Sequence, residues 1–266
     1  MRYVLIAALA FGAASPAMAG AFKPWTAFPN ADFKGTKLFR DEASGAYCYA
    51  TAHSRVDADG APNAYHPDDV RRSRPPFLGL DSPANAGWPR HPDWWPSVLV
   101  PDPAQRSQPY VQPSGAFKGY FVAQTSLRAA HGNKLDPATY ADSRSVPYIV
   151  LPGSVFPARP GTGAPGDVGM AWNLANGKKT AFVIGDTGGG SDARLGEGSI
   201  ALFKALGGAN PNARTGAGVA PGKMRFVVFR GSRHRLGWPA TNAAIDVLAK
   251  QLLESAGGIA ALSPCS

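Results

Sequence analysis

Apolar and polar positions alternate or cluster in short blocks along this chain, and few blocks exceed eight residues. Tyr47–Val56 (YCYATAHSRV) is rich in β-prone residues and predicts a strand. The same reading gives strands at Tyr120–Leu127, Val146–Leu151, Asp167–Leu174, Thr180–Ile184 and Met224–Phe229. Asn176-Gly177 lies between two of these apolar runs, a strong hairpin signal. Only two stretches show helical spacing. Ser199–Leu206 is followed by Gly207-Gly208, and Asn242–Ser255 puts Ile245, Leu248, Ala249, Leu252 and Leu253 on one face before Gly257-Gly258. Residues 20–45 have little periodicity, and residues 57–115 are proline-rich with no regular pattern. A loop region that long inside a domain is usually functional or mobile. The sum is a mainly β (α+β) domain with short helices and long decorating loops, and a β-barrel is the expected closure.

Composition agrees. Gly 31 and Pro 25 make up about a fifth of 266 residues, which predicts many turns and argues against a long helical bundle. Hydrophobic residues at 44% and charged residues at 17% exclude a disordered chain. The start is different in kind. Arg2 precedes the apolar run Tyr3–Ala14, which is shorter than the roughly 20 residues of a membrane span. Ala17-Met18-Ala19 then forms an Ala-x-Ala site. Residues 1–19 therefore read as a secretory signal peptide, leaving 20–266 as a single domain with a periplasmic or secreted location. Cys48 and Cys265 are the only cysteines, and in an oxidising compartment they are expected to pair. The bond would tie the C-terminal tail to the first strand, with up to ~4–5 kcal/mol from loop closure.

Three clusters carry candidate chemistry. In residues 180–203 an apolar strand ends at Asp186, a glycine-rich loop follows, and Glu197 stands at the start of a helix. Two carboxylates at the ends of one loop fit a glycosidase, which needs an acid and a base flanking the scissile bond. An apolar strand end raises a carboxyl's pKa and a helix N-terminus lowers it. That assigns Asp186 as acid and Glu197 as base, with the reverse open. The pair also fits an ordinary turn and an ordinary helix start. A second cluster, Asp57-Ala-Asp-Gly-Ala-Pro-Asn, superficially resembles a calcium loop. Ala61 stands where an oxygen ligand belongs and Asp68 where the loop needs Glu, so it reads as a substrate-contacting loop and no metal is expected. The third cluster is aromatic. Trp88, Trp94 and Trp95 fall within eight residues, suited either to stacking on sugar rings or to anchoring their own loop.

Together these pieces resemble glycoside hydrolase family 75, the fungal-type chitosanases, and their bacterial relatives. The carrying motifs are Val56–Asp68, Val146-Pro-Tyr-Ile-Val-Leu-Pro-Gly153, Gly185-Asp-Thr-Gly188 and Gly196-Glu-Gly-Ser-Ile-Ala-Leu202, and the resemblance spans about Cys48 to Ser232. It implies an endo-acting, inverting hydrolase of β-1,4 bonds in chitosan, needing no cofactor, with Asp186 and Glu197 as the catalytic carboxylates. Substrate contacts are expected from Asp57, Asp59, Asn63, Tyr65, Thr187, Trp94 and Trp95. The Asp-Thr-Gly-Gly stretch is also similar to the double-psi β-barrels of certain lytic transglycosylases and endoglucanases, which would make the barrel six-stranded. The expected partner is a polysaccharide, met by a monomer, with neither nucleic acid nor, once the signal is removed, membrane. Charge cuts against chitosan. Residues 178–236 hold ten basic and three acidic side chains, and the whole chain is +9. Such a field would repel a polycation. Residues 57–102, with seven aspartates against four arginines, could offset it if they wall the cleft. The alternatives are a peptidoglycan-cleaving enzyme of related fold and a non-catalytic glycan-binding module.

Overall fold

The computed structural model describes residues 21–153, 156 and 159–266. The signal-peptide reading falls on residues outside that set. The described chain is mainly β, built on one mixed sheet of ten strands. These are β1 (Lys23–Pro24), β2 (Asp32–Phe33), β3 (Thr36–Arg40), β4 (Tyr47–Thr51), β5 (Arg55–Asp57), β6 (Tyr148–Pro152), β7 (Val168–Asn173), β8 (Lys179–Gly188), β9 (Glu197–Ser199) and β10 (Met224–Phe229). The helices are α1 (Ile200–Ala205) and α2 (Asn242–Ser255). The strands run in the order β1-β3-β4-β10-β7-β8-β6-β9-β5, with β2 paired to β3. Pairs are antiparallel except β6 with β8 and β5 with β9.

The sheet does not close. Its path ends at β1 and β5, so the expected barrel is replaced by an open sheet. The physical reason lies in those two ends. Barrel closure needs strands long enough to share a tilt and stagger. Strand β1 is only two residues, with Lys23 and Pro24 exposed, and both residue types blunt an edge against further pairing. Strand β5 is three residues and runs straight into an acidic turn.

Both faces of the central strands are covered, so those strands read as unbroken apolar runs. In β10, Val227 and Phe229 face a core shared with Tyr148, Val150 and Met170. Helix α2 covers that core with Ile245, Leu248, Ala249 and Leu253, and its N-cap Thr241 accepts a hydrogen bond from the Ala244 N–H. Phe226 and Val228 point the other way, into a core with Trp25, Phe28, Tyr47, Phe156 and, from α1, Leu202. A third core lies under residues 57–125. Ala58, Ala61, Ala64, Tyr65, Trp95, Leu99, Phe121 and Ala123 are buried together there. The long proline-rich region is therefore a packed layer, held by short bridges such as Leu99 to Ala123. The strand expected at Tyr120–Leu127 contributes only such bridges.

Cys48 and Cys265 are bonded, with Cα atoms 6.0 Å apart and a sequence separation of 217. Cys48 lies in β4, an interior strand between β3 and β10, so the tail is tied to the middle of this half of the sheet. Cys265→Ser is expected to lower stability by about 2–5 kcal/mol, and Tm by roughly 5–15 °C for a domain of this size. Thermal unfolding of the oxidised protein against the variant measures it. A change within a degree would mean that the bond constrains nothing. Among the described residues, no helix is long and apolar enough to cross a membrane.

Candidate active site

The site is organised around Val150 in β6. On one side β6 pairs with β8, placing Val150 opposite Asp186. On the other it pairs with β9, placing Val150 opposite Glu197. Directly paired residues share a face of a sheet, so both carboxyls stand on the Val150 face. Two strand spacings of ~4.8 Å put their backbones about 10 Å apart. Glu197 is in turn opposite Arg55 of β5, whose Nε lies 3.5 Å from Glu197 Oε1.

A β-bulge aims Asp186. Ile149 faces Ile184, but the next residue, Val150, faces Asp186, so Gly185 is the extra residue. Without it, alternation would place Asp186 opposite Leu151, on the buried apolar face with Phe182 and Ile184. The bulged position accepts only glycine, because a Cβ there would come within 2.5 Å of the Tyr148 ring. Gly196 does similar service before Glu197. Its φ is +112°, and a Cβ would run into the His53 carbonyl.

Asp186 Oδ1 accepts three hydrogen bonds, from Ser126 N–H at 2.9 Å, from Thr187 N–H at 2.7 Å and from the Ser126 hydroxyl. Beside it stand Asp57 and Asp59. One oxygen from each of these three carboxyls lies within 4.8 Å of the others, the only such group of three among the described residues that could hold a metal ion. Asp57 Oδ1 accepts the Asp59 N–H at 3.0 Å, and Asp57 Oδ2 accepts the Tyr148 hydroxyl at 2.9 Å. Asp59 Oδ1 accepts the Tyr65 hydroxyl at 2.7 Å.

Burial dominates the titration of all four acids. It raises Asp186 above the usual carboxylate range, while the Ser126 and Thr187 hydrogen bonds pull the other way. It pushes Glu197 up to about 7; Arg55 opposes this, and the charges of Asp186 and Asp81 add to it. Asp57 and Asp59 are held well above the usual range, by burial first and then by neighbouring carboxylates. The helix N-terminus does not lower Glu197. That residue lies in β9, ahead of the N-cap Ser199, whose side chain is committed to Leu202 N–H.

Asp186 and Glu197 open on one cleft of about 960 Å3. No family model and no curated protein matches the chain. The cleft itself separates the expected contact residues. Asp57, Asp59, Tyr65, Thr187 and Trp94 line it. Trp94 is 40% exposed, with its ring stacked on His91. Trp95 and Asn63 are not in the lining. Trp95 is buried edge-on against Trp88 and anchors the loop layer, the bland alternative for this cluster. Asn63 is half-buried behind the wall. Asp81, Asn85, His53 and Arg194 line the cleft without having been singled out in the sequence. The folding of the 57–125 layer brings Asp81 and Asn85 here, whereas His53 follows β4 and Arg194 lies in the loop between the two acids.

Residues 57–102 do wall the cleft, and with them its lining is acidic. Six carboxyls (Asp57, Asp59, Asp81, Asp186, Asp192 and Glu197) face the cleft against two guanidiniums, Arg55 and Arg194. Of the basic residues in positions 178–236, only Arg194 lines the cleft. Arg214 binds Asp69, Arg233 binds Asp167, and Arg225 donates to the Cys265 carbonyl.

Proposed function

We propose that this protein is an exported endo-acting glycoside hydrolase that cleaves β-1,4 links in chitosan or a related amino-sugar glycan with inversion. The observation that carries the reading is the placement of Asp186 and Glu197 on either side of Val150, facing an acid-lined cleft. An inverting pair needs carboxyls ~6.5–9.5 Å apart, wider than the ~5–5.5 Å of a retaining pair, and a two-strand spacing suits the wider gap. Glu197, protonated up to about pH 7, is the general acid. It gives its proton to the glycosidic oxygen as the C1–O bond breaks. Asp186, with three donors holding its anion, is the base and takes a proton from the water whose oxygen adds to C1. This reverses the roles first expected from the strand end and the helix start. Trp94 offers an aromatic face to a sugar ring, and the excess of carboxyls favours a glycan bearing ammonium groups. The motif resemblance to glycoside hydrolase family 75 supports the same substrate, and the disulfide and the apolar N-terminal run support export.

The test is release of new reducing ends from chitosan, chitin, cellulose and peptidoglycan, with the product anomer read by NMR before mutarotation. Chitosan is expected to yield the inverted anomer. Activity should fall as pH rises through about 7, because Glu197 then loses the proton it must donate. Release from peptidoglycan alone would overturn the substrate, and binding without release from any glycan would overturn the chemistry.

A further inference from the structure

Three buried carboxyls as close as those of Asp57, Asp59 and Asp186 repel one another as anions, so the donors around them decide where a shared proton sits. Donors are distributed unevenly among them. Asp186 accepts three hydrogen bonds on one oxygen, Asp57 two, and Asp59 one from a side chain, that of Tyr65. Two of the three on Asp186 come from one residue, Ser126, which lies 60 positions away in the chain. Its segment is laid against the bulge of β8, with Leu127 N–H donating to the Gly185 carbonyl at 2.8 Å. The Ser126 hydroxyl also meets the Thr187 hydroxyl at 2.9 Å.

We propose that Ser126 is the positioning residue for Asp186. It selects Asp186 as an anion of the three-carboxyl group, leaves the shared proton on Asp59, and leaves Asp186 Oδ2 free towards the cleft. The proposal rests on the reading of Asp186 as the base. Apart from the backbone N–H of Thr187, the other groups facing Asp186 give it no donor. Asp57 and Asp59 come from β5 and the turn after it, Glu197 from β9 with Arg55 paired to it, and the Tyr148 hydroxyl of β6 is spent on Asp57 and the Asp59 carbonyl. Ser126 is exposed, and its hydroxyl also accepts the Thr187 N–H at 3.2 Å, so it ties its segment to β8 at Asp186 itself.

The experiment is a carboxyl titration of protein labelled with 13C-aspartate, with the Asp186 signal assigned by its absence in D186N. In Ser126→Ala the Asp186 midpoint should rise by about one pH unit, since one hydrogen bond to a charged group is lost. Ser126→Thr, which keeps the hydroxyl, should restore it. The acidic limb of the kcat/KM profile should move by the same amount in the alanine variant while KM changes by less than about twofold. If the Asp186 midpoint stays in place in Ser126→Ala, or the threonine variant fails to restore it, the proposal is overturned, whatever happens to activity. If the wild type cleaves no glycan, the functional reading falls on its own and the titration still decides the role of Ser126.

Discussion

Glu197→Gln and Asp186→Asn are each expected to lose on the order of 10²–10⁴-fold in kcat on chitosan. Both keep the shape of the side chain and remove its ability to exchange a proton. The two differ in what else they do. Glu197 is pushed up to about 7 in the folded chain from an ordinary value of 4.5. A raised carboxyl favours the folded state at low pH. That contribution is complete below about 4.5 and is lost as pH climbs towards about 7. Above pH 7 the wild type carries the full cost of an anion in a site where only Arg55 draws on it. At ~1.4 kcal/mol per pH unit the cost is on the order of 3 kcal/mol. A glutamine at this position does not titrate, so the inactive variant should be the more stable protein at about pH 8, by several degrees in Tm. Near pH 4 the difference should vanish, because the wild-type carboxyl is then neutral as well. Unfolding scans at both pH values read it. An equal Tm difference at both would show that Glu197 is not strained by its surroundings, and the case for it as the acid would go with that result.

Arg214→Ala is expected to cost about 3–5 kcal/mol of stability, the usual penalty for breaking a buried ion pair from one side. Asp69 has no exposed side-chain surface, and its Oδ2 lies 2.8 Å from Arg214 Nη2. Leu78 and Gly79 N–H groups also donate to that carboxylate. The guanidinium reaches on to the Gly79 and Asp81 carbonyls, at 3.2 and 2.8 Å, and lies over the Phe77 ring. Alanine removes all of this and leaves the interior carboxylate to its backbone donors and to Arg72, whose Nε lies 3.6 Å from Asp69 Oδ1. At ~2–4 °C per kcal/mol the fall in Tm should be roughly 6–20 °C. Introduced into Asp69→Asn, the same alanine should cost clearly less, because no charge is then stranded. Because Arg214 braces the backbone of Asp81, which lines the cleft, KM should rise even at temperatures where the variant is folded. A loss below about 1 kcal/mol would mean that water reaches Asp69.

What could be read from the residues follows from where the information is local. Strand β10 and helix α2 have the bounds that the pattern predicts, one a run of six apolar-flanked residues, the other a capped amphipathic turn sequence. The Asn176-Gly177 hairpin joins β7 and β8 as its dipeptide predicts. Strands β1 to β3 were illegible because they are two to five residues long and gain their order from Trp25, Phe28 and Phe33 packing on β4. Tyr120–Leu127 has the composition of a strand, yet Phe121 and Ala123 fill the loop-layer core instead. In the site, Asp186 and Glu197 stand in glycine-marked motifs and were legible. Asp57 and Asp59 were expected beside them and line the same cleft, whereas Ser126 and Asp81 were not, because they arrive by long-range pairing with no motif to mark them. The charge of the cleft stayed conditional in the sequence for the same reason, resting on whether residues 57–102 wall it. A window of sequence sums residues on all sides of a sheet, whereas a substrate meets only one side.

The extra glycine in β8 makes the site discrete where most protein features are graded. Deleting one residue there would not nudge Asp186 sideways but turn it through the sheet, along with every residue that follows in the strand. No sequence of small adjustments connects the two arrangements, so the parity of this strand is inherited whole or lost. The stretch 189–194 between the two acids is under no such constraint. Each acid is anchored by its own strand register, so the connection between them is free to grow or shrink over evolutionary time while the distance across Val150 stays the same.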